Sequence, residues 1–181
     1  LFFPPGTYLY HGSMNPAVIG GVFEGAGPAA SVIKFTDSTV EALVNITGIS
    51  LHSWIMRNIR ITGPGKTAGT NVHGIMIHDL NMAAFNIHFE HVWVTDVSGN
   101  GFYMSGGSGT AVFSYSMKDC CAQHIGGNGF QVYSGVGSYF IGLGQYNDDI
   151  DGWAYWFYDG HPFLSLIHIS EPTRLLSISY A

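Results

Sequence analysis

The stretch that decides the fold is Asp96-Val97-Ser98-Gly99-Asn100-Gly101-Phe102-Tyr103-Met104, because it recurs as His124-Ile125-Gly126-Gly127-Asn128-Gly129-Phe130-Gln131-Val132. A glycine followed by an alternating strand also occurs at Gly74 and at Gly152, so the four glycines are spaced 27, 28 and 23 residues apart. Each repeat holds short strands separated by Gly, Asn or Asp, and no stretch has a sustained helical period. A further element upstream of these glycines aligns residues 58–62, 91–95 and 119–123.

Repeats of 23–28 residues that contain several short strands cannot bury their apolar faces alone. Stacking the repeats as coils of a solenoid buries those faces, because each coil then packs on its neighbours. The Leu and Asn frame of leucine-rich repeats is absent, and propeller blades need about 40 residues or more. The sequence therefore predicts an all-β fold, a parallel β-helix.

Two segments near the start resemble the pectate-lyase-like superfamily. Phe2-Phe3-Pro4-Pro5-Gly6-Thr7-Tyr8 is similar to its opening motif, and Gly25-Ala26-Gly27 followed by Ala30-Ser31-Val32-Ile33 is similar to its next coil. The resemblance covers roughly residues 1–160 and implies a right-handed parallel β-helix that is incomplete at both ends. Because this fold carries lyases, hydrolases, epimerases and phage tailspikes, the resemblance implies no single reaction.

Composition narrows the class of partner. Charged residues make up only 10% of the chain, and 6 basic against 12 acidic residues give a net charge of −6, which argues against nucleic acid. No run of 18 apolar residues occurs, so a membrane span is not expected. The resemblance implies a polysaccharide as partner and an extracellular or phage-virion location, with a homotrimer in the case of a tailspike.

The end of the chain differs in composition from the rest. Residues 164–181 contain no glycine, although 25 glycines precede them, and this segment resembles translated sequencing-adapter DNA. We expect residues 1–163 to form a partial parallel β-helix domain and residues 164–181 to be a non-native tail.

Alternation within the strand after each glycine assigns its side chains to two faces. The predicted inward ladder is Ile75, Ile77, Phe102, Met104, Phe130, Val132, Trp153 and Tyr155. The outward rows mix aromatic and hydrogen-bonding groups without strong charge. Such a surface suits sugar rings, since their C–H faces pack on aromatic side chains while their hydroxyls need polar partners. We expect substrate-binding residues there, namely Tyr103, Gln131, Tyr133, Trp156 and His78.

Aligning the repeats on the glycine places Asp96, His124 and Asp149 in one column, with about 4.8 Å between successive coils. A neighbouring column holds Thr95, Gln123 and Asp148. Asp149 and Asp151 share a strand face at about 6.6 Å, and two coils separate Asp96 from Asp149 by about 9.6 Å. These separations lean towards the roughly 6.5–9.5 Å between the carboxyl groups of inverting glycosidases.

The crowding of Asp148, Asp149 and Asp151 is expected to raise the pKa of at least one carboxyl group, as an acid catalyst requires. The alternative for these residues, and for Asp96, is that they cap coil corners by accepting hydrogen bonds from backbone N–H groups. His124 could equally be a turn residue.

Three functions stay open. The segment Asn147-Asp148-Asp149-Ile150-Asp151 resembles a shortened Asn-Thr-Asp-Gly-Ile-Asp motif of polygalacturonases, in which the first Asp is catalytic. We therefore expect hydrolysis of glycosidic bonds by an Asp pair on the outer face, with no cofactor and no metal. The second function is a calcium-dependent polysaccharide lyase, in which the Asp cluster holds the ion, although no Lys or Arg falls in the predicted outward rows. The third is a non-catalytic glycan-binding tailspike or adhesin.

Overall fold

The chain folds into strands joined by turns. A computed structural model describes residues 1–16, 19–47, 52–78, 85–105, 112–113, 115–133, 135–136, 139–141, 148–158 and 164–166, and no helix lies among them. In chain order the strands are β1 (Phe2–Phe3), β2 (Gly6–Tyr10), β3 (Val22–Gly25), β4 (Ser31–Phe35), β5 (Ala42–Ile46), β6 (His52–Thr62), β7 (His73–Ile77), β8 (Phe85–Val97), β9 (Phe102–Met104), β10 (Val112–Phe113), β11 (Tyr115–Lys118), β12 (Cys121–Ile125), β13 (Phe130–Tyr133), β14 (Gly135–Val136), β15 (Tyr139–Ile141), β16 (Asp148–Ile150), β17 (Tyr155–Tyr158) and β18 (Leu164–Leu166).

Apart from the separate pair of β10 and β14, the strands form three walls of a coil, and every pairing described is parallel. One wall follows the order β1-β3-β6-β8-β11-β15-β18, and a second contains β2-β4-β6-β8-β12-β16. The third wall is the five-stranded sheet β5-β7-β9-β13-β17. Each circuit of the chain visits the walls in this order, so the predicted parallel β-helix is confirmed.

β6 and β8 belong to two walls because each strand bends at one residue. Asn58 and His91 occupy the left-handed region at these bends, with φ of 55° and 53°. The first half of β8 pairs with β11, and the second half pairs with β12. A single residue with left-handed φ therefore turns one wall into the next without a loop.

The second wall stands in the register that the repeat predicts. The column of Thr95, Gln123 and Asp148 is confirmed, since Gln123 pairs with Thr95 on one side and with Asp148 on the other. Thr62 extends this column by one coil, and its hydroxyl lies 3.0 Å from that of Thr95.

The interior of the coil is apolar and stacked in ladders. Phe102 lies parallel to Phe130 at a centroid distance of 4.8 Å, and Phe130 stacks on Tyr155 at 5.5 Å. Six of the predicted inward residues are fully buried, namely Ile75, Ile77, Phe102, Met104, Phe130 and Val132. Burial of a phenylalanine side chain contributes about 1.5–3 kcal/mol, so these ladders hold successive coils together.

The predicted position of Trp153 inside the coil is wrong. Its side chain is 52% exposed, and Tyr155, two residues further on, pairs with Phe130. Gly152 lies opposite Gly127 rather than Gly129, because its N–H donates to the Gly127 carbonyl at 2.9 Å. The corner of this coil thus absorbs two more residues than the alignment assumed.

No helix among the described residues is long and apolar enough to cross a membrane. At the end of the described chain, β18 pairs with β15, while residues 167–181 lie outside the described residues. The domain boundary after residue 163 stays a prediction.

Candidate functional site

A ladder of side-chain acceptors runs along one corner of the coil, between the second and third walls. Nδ1 of His73 accepts the backbone N–H of Asn100, and Oδ1 of Asn100 accepts the N–H of Asn128. Oδ1 of Asn128 in turn accepts the N–H of Trp153. The recurring Gly-Asn-Gly therefore fastens each corner to the next, and this fixes the positions of the strands on either side.

Gln131, predicted to bind substrate, belongs to this network. Its Oε1 accepts hydrogen bonds from Nδ2 of Asn100 at 2.8 Å and from Nδ2 of Asn128 at 2.9 Å, and its side chain is buried. Tyr103 stacks on His73 at 4.9 Å with an angle of 10° between the rings. Both residues therefore brace the corner, and Gln131 is buried there rather than open on the outer surface.

The other predicted substrate-binding residues are less buried or lie outside the described side chains. Trp156 pairs with Gln131 in the sheet and is 41% exposed. Nε2 of His78 lies 2.9 Å from Oδ1 of Asn45. Tyr133 is part of β13, but its side chain lies outside the described residues.

Asp96, His124 and Asp149 stand in one column on the outside of the coil, as the repeat predicted. All three have left-handed backbone, with φ of 59°, 53° and 52°, because each marks the bend that ends the second wall. Nδ1 of His124 lies 3.2 Å from Oδ1 of Asp96, and both side chains are partly exposed. The register therefore places the His124 imidazole on the coil between the two coils that carry the Asp96 and Asp149 carboxylates.

Sequence reasoning missed Lys66, which reaches this column from the loop after β6. Its Nζ lies 2.5 Å from Oδ1 of Asp149 and 2.8 Å from Oδ1 of Asp151. Since both carboxylate oxygens contact the same nitrogen, their separation is well short of the roughly 6.5–9.5 Å used by inverting glycosidases. We call Lys66, Asp96, His124, Asp149 and Asp151 the charged row.

Lys66 reaches the charged row from a long corner. Eleven residues separate Thr62 from Gly74, whereas five separate Thr95 from Gly101 at the equivalent corner of the next coil. The 63–72 loop thus lies across neighbouring coils, with the Lys66 carbonyl over Gly126. A basic residue inside this lengthened corner was the signal available in the sequence.

Lys66 changes the electrostatics expected for the aspartates. The hydrogen bond from Lys66 holds the pKa of the Asp149 carboxyl below its usual value, and the charge of His124 acts in the same direction. Conversely, Asp149 and Asp151 raise the pKa of the Lys66 ammonium. Asp149 is therefore not a carboxyl whose pKa is raised by crowding, because a cation lies among the carboxylates.

Asp148 and Asp151 flank this arrangement. Asp148 is exposed and follows Gln123 in the neighbouring column, while the backbone N–H of Asp151 donates to the Ile125 carbonyl at 2.9 Å. Among the described residues, no group of three or more His, Cys, Asp or Glu side chains could hold a metal ion.

The fold is a right-handed parallel β-helix of the pectate-lyase-like type. A particular solved structure that resembles the chain is the A-module of mannuronan C-5 epimerase AlgE4 from Azotobacter vinelandii, with a TM-score of 0.67 and 21% sequence identity. The match covers 82% of this chain and 42% of that chain, so the present chain spans less than half of its structural neighbour. No family model matches the sequence, and no curated protein matches it.

Proposed function

We propose that this protein processes polysaccharide at the charged row. The observation that carries the proposal is the alignment of Asp96, His124 and Asp149 on successive coils, with Lys66 bound to the last of them. A row of ionisable groups along the outside of a solenoid suits a ligand that is itself an extended chain of repeating units, as a polysaccharide is. The structural neighbour, which has the same fold, is named for epimerising mannuronan.

Hydrolysis of a glycosidic bond is the first candidate reaction. It needs one group that protonates the leaving oxygen and one ionised carboxylate that activates water or attacks the sugar. Lys66 lowers the pKa of Asp149, which therefore suits the carboxylate role and not the acid role. We assign the acid role to His124, which Asp96 orients through Nδ1. An Asp–His pair thus replaces the Asp pair expected from the sequence.

Elimination on a uronate is the second candidate, favoured by the presence of Lys66. Lys66 would neutralise the sugar carboxylate while His124 removes the C5 proton. The C5–H electrons then form the C4=C5 double bond as the C4–O bond breaks, and the glycosidic oxygen leaves with the electron pair of that bond and takes a proton from water. Asp149 and Asp151 are already bound to Lys66 and repel a further carboxylate. Because of this repulsion, we place hydrolysis of a neutral glycan first.

A binding-only role, as in an adhesin or a trimeric tailspike, predicts aspartates fixed by backbone amides. Asp149 and Asp151 instead present side chains that are 55% and 63% exposed and that contact an ammonium group. These contacts favour an enzyme over a binding module. We place the protein outside the cell or on a phage virion, where polysaccharide is met.

The test is a panel of neutral and uronate-containing polysaccharides incubated with the chain. Hydrolysis produces reducing ends without ultraviolet absorbance, whereas elimination produces an unsaturated sugar that absorbs. Asp149→Asn and His124→Gln are each expected to lower the rate by about 10²–10⁴-fold. The matched control is Glu90→Gln, which removes a half-exposed carboxylate bound to Lys118 on the first wall and should leave the rate unchanged. Full activity in both row variants, or binding of a glycan with no product, would contradict the proposal.

A further inference from the structure

Three oxygen atoms converge on the ammonium group of Lys66. They are Oδ1 of Asp149 at 2.5 Å, the backbone carbonyl of Asp149 at 3.1 Å and Oδ1 of Asp151 at 2.8 Å. An ammonium group has three N–H donors and no acceptor, so the donors equal the acceptors in number. The Lys66 side chain is only 18% exposed, although both carboxylates are more than half exposed.

Calcium prefers the same kind of surroundings. It binds six to eight oxygens from carboxylates, backbone carbonyls and waters at about 2.3–2.6 Å. The three oxygens around Lys66 would provide the protein part of such a set. The nitrogen already lies among them, however, and its positive charge repels a second cation. A calcium ion does not fit beside Lys66 at Asp149 and Asp151.

We propose that Lys66 is the resident cation of this site and takes the position that calcium would otherwise occupy. The inference concerns cation binding alone, so it stands whether or not the charged row acts on polysaccharide. It also assigns a positioning role to Lys66, which holds Asp149 and Asp151 together in place of a metal ion.

The backbone around Lys66 holds the side chain in place. The N–H of Gly63 donates to the Thr95 carbonyl at 2.8 Å, and the N–H of Gly65 donates to the Asp96 carbonyl at 3.0 Å. A turn follows, in which Ala68 donates to the Gly65 carbonyl. The loop is therefore fastened to the neighbouring coil on the N-terminal side of Lys66. Because the ammonium group does not have to be ordered on binding, it competes well against a hydrated ion.

Isothermal titration calorimetry with calcium chloride alone tests the proposal. We compare the wild-type chain with Lys66→Ser, which removes the ammonium and opens space for an ion and its waters. Lys66→Arg keeps the charge. Lys118→Ser is the matched control, because Lys118 binds one carboxylate, that of Glu90, on another wall.

Lys66→Ser is expected to gain calcium binding with a Kd of about 10⁻⁴–10⁻³ M, the range of weak extracellular modules. The second substitution Asp149→Asn should remove that gain. The wild type, Lys66→Arg and Lys118→Ser should show no calcium binding at this site. A folded Lys66→Ser that binds no calcium would overturn the proposal.

The wild type provides a measurement that does not depend on the folding of Lys66→Ser. Calcium should leave its melting temperature equal to that in sodium chloride of the same ionic strength. A rise with calcium that disappears in Asp149→Asn would mean that the ion displaces Lys66, and the proposal would be wrong. If Lys66→Ser folds when calcium is present and not when it is chelated, the exchange of one cation for the other is supported.

Discussion

Nδ1 of His73 accepts a hydrogen bond from the backbone N–H of Asn100 at 2.9 Å, an interaction that requires this ring nitrogen to carry no proton. Burial lowers the pKa of His73 below its ordinary value of 6.5, with Glu41 opposing and His78 adding to the shift. The unfolded chain therefore takes up this proton first. The contribution of His73 to stability is complete above about pH 6.5 and is lost as the pH falls towards the lower pKa of the folded state.

The measurement is the melting temperature of the wild type and of His73→Asn across that pH range. Asparagine occupies the equivalent positions at residues 100 and 128, so it keeps a side-chain acceptor without a titrating group. The wild type should lose more stability than His73→Asn as the pH falls below 6.5. Parallel curves for the two proteins would show that His73 does not titrate on unfolding.

Removing the Asn100 side chain should destabilise the fold. Asn100→Ala deletes the acceptor of the Asn128 N–H and a donor to Gln131, both in buried surroundings. The expected loss in the free energy of unfolding is about 2–3 kcal/mol, because a buried N–H is left without a partner. Urea denaturation measures it, and a loss below about 0.5 kcal/mol would mean that water replaces the amide.

Gly127 should not accept a side chain. A Cβ at this position would lie 2.6 Å from Oδ1 of Asn100 and 2.8 Å from the backbone carbon of Gly99. Gly127→Ala is expected to cost about 3 kcal/mol, since backbone and a hydrogen-bonded amide must shift. The control is Gly20→Ala, where the left-handed φ of 70° alone is expected to cost about 1–2 kcal/mol, because no atom lies within 4 Å. Equal losses would contradict close packing at this corner.

The aromatic ladder should dominate the stability of the middle coils. Phe130→Ala removes a buried ring that stacks on Phe102 and on Tyr155, and we expect a loss of about 3–5 kcal/mol in unfolding free energy. Trp153→Ala is the contrasting variant, with an expected change of about 0.5 kcal/mol, because this ring is half exposed. A large loss in unfolding free energy in Trp153→Ala would instead indicate that this side chain packs inside the coil.

Lys66 should control the ionisation of Asp149. In Lys66→Met the pKa of the Asp149 carboxyl should rise towards its usual value, since the hydrogen bond from Lys66 is the largest cause of its lowering. Carboxyl carbon chemical shifts measured during an acid titration follow this pKa directly. An unchanged pKa in the variant would assign the lowering to another group.

The repeat pattern was enough to predict the parallel β-helix and its columns. Strand faces follow from alternation, and the column of Asp96, His124 and Asp149 follows from the polar residue that begins each copy of the corner motif. The misplacement of Trp153 has a specific cause. A slip of two residues keeps every side chain of a strand on the same face, so alternation cannot detect it. In the structure Oδ1 of Asn128 accepts the N–H of Trp153, which holds Trp153 in the corner, before the strand begins.

Lys66 was beyond prediction from the repeat for a different reason. Columns arise from residues that recur at one position, whereas Lys66 lies in extra residues that the corner of the next coil lacks. Its partner Asp149 lies 83 positions away, and the contact depends on how the loop lies across the surface. The same contact decides which carboxylate is ionised, so the acid and base roles could not be assigned from spacing.

The contact of Lys66 with Asp149 also bears on cooperativity. A solenoid in which each coil interacts with its immediate neighbours unfolds from its ends, one coil after another. Lys66 belongs to the coil of β6 and binds residues three coils further on, at β16. This contact adds a coupling between coils that are not neighbours, so fraying of the coil of β16 also breaks the contacts of Lys66 with Asp149 and Asp151.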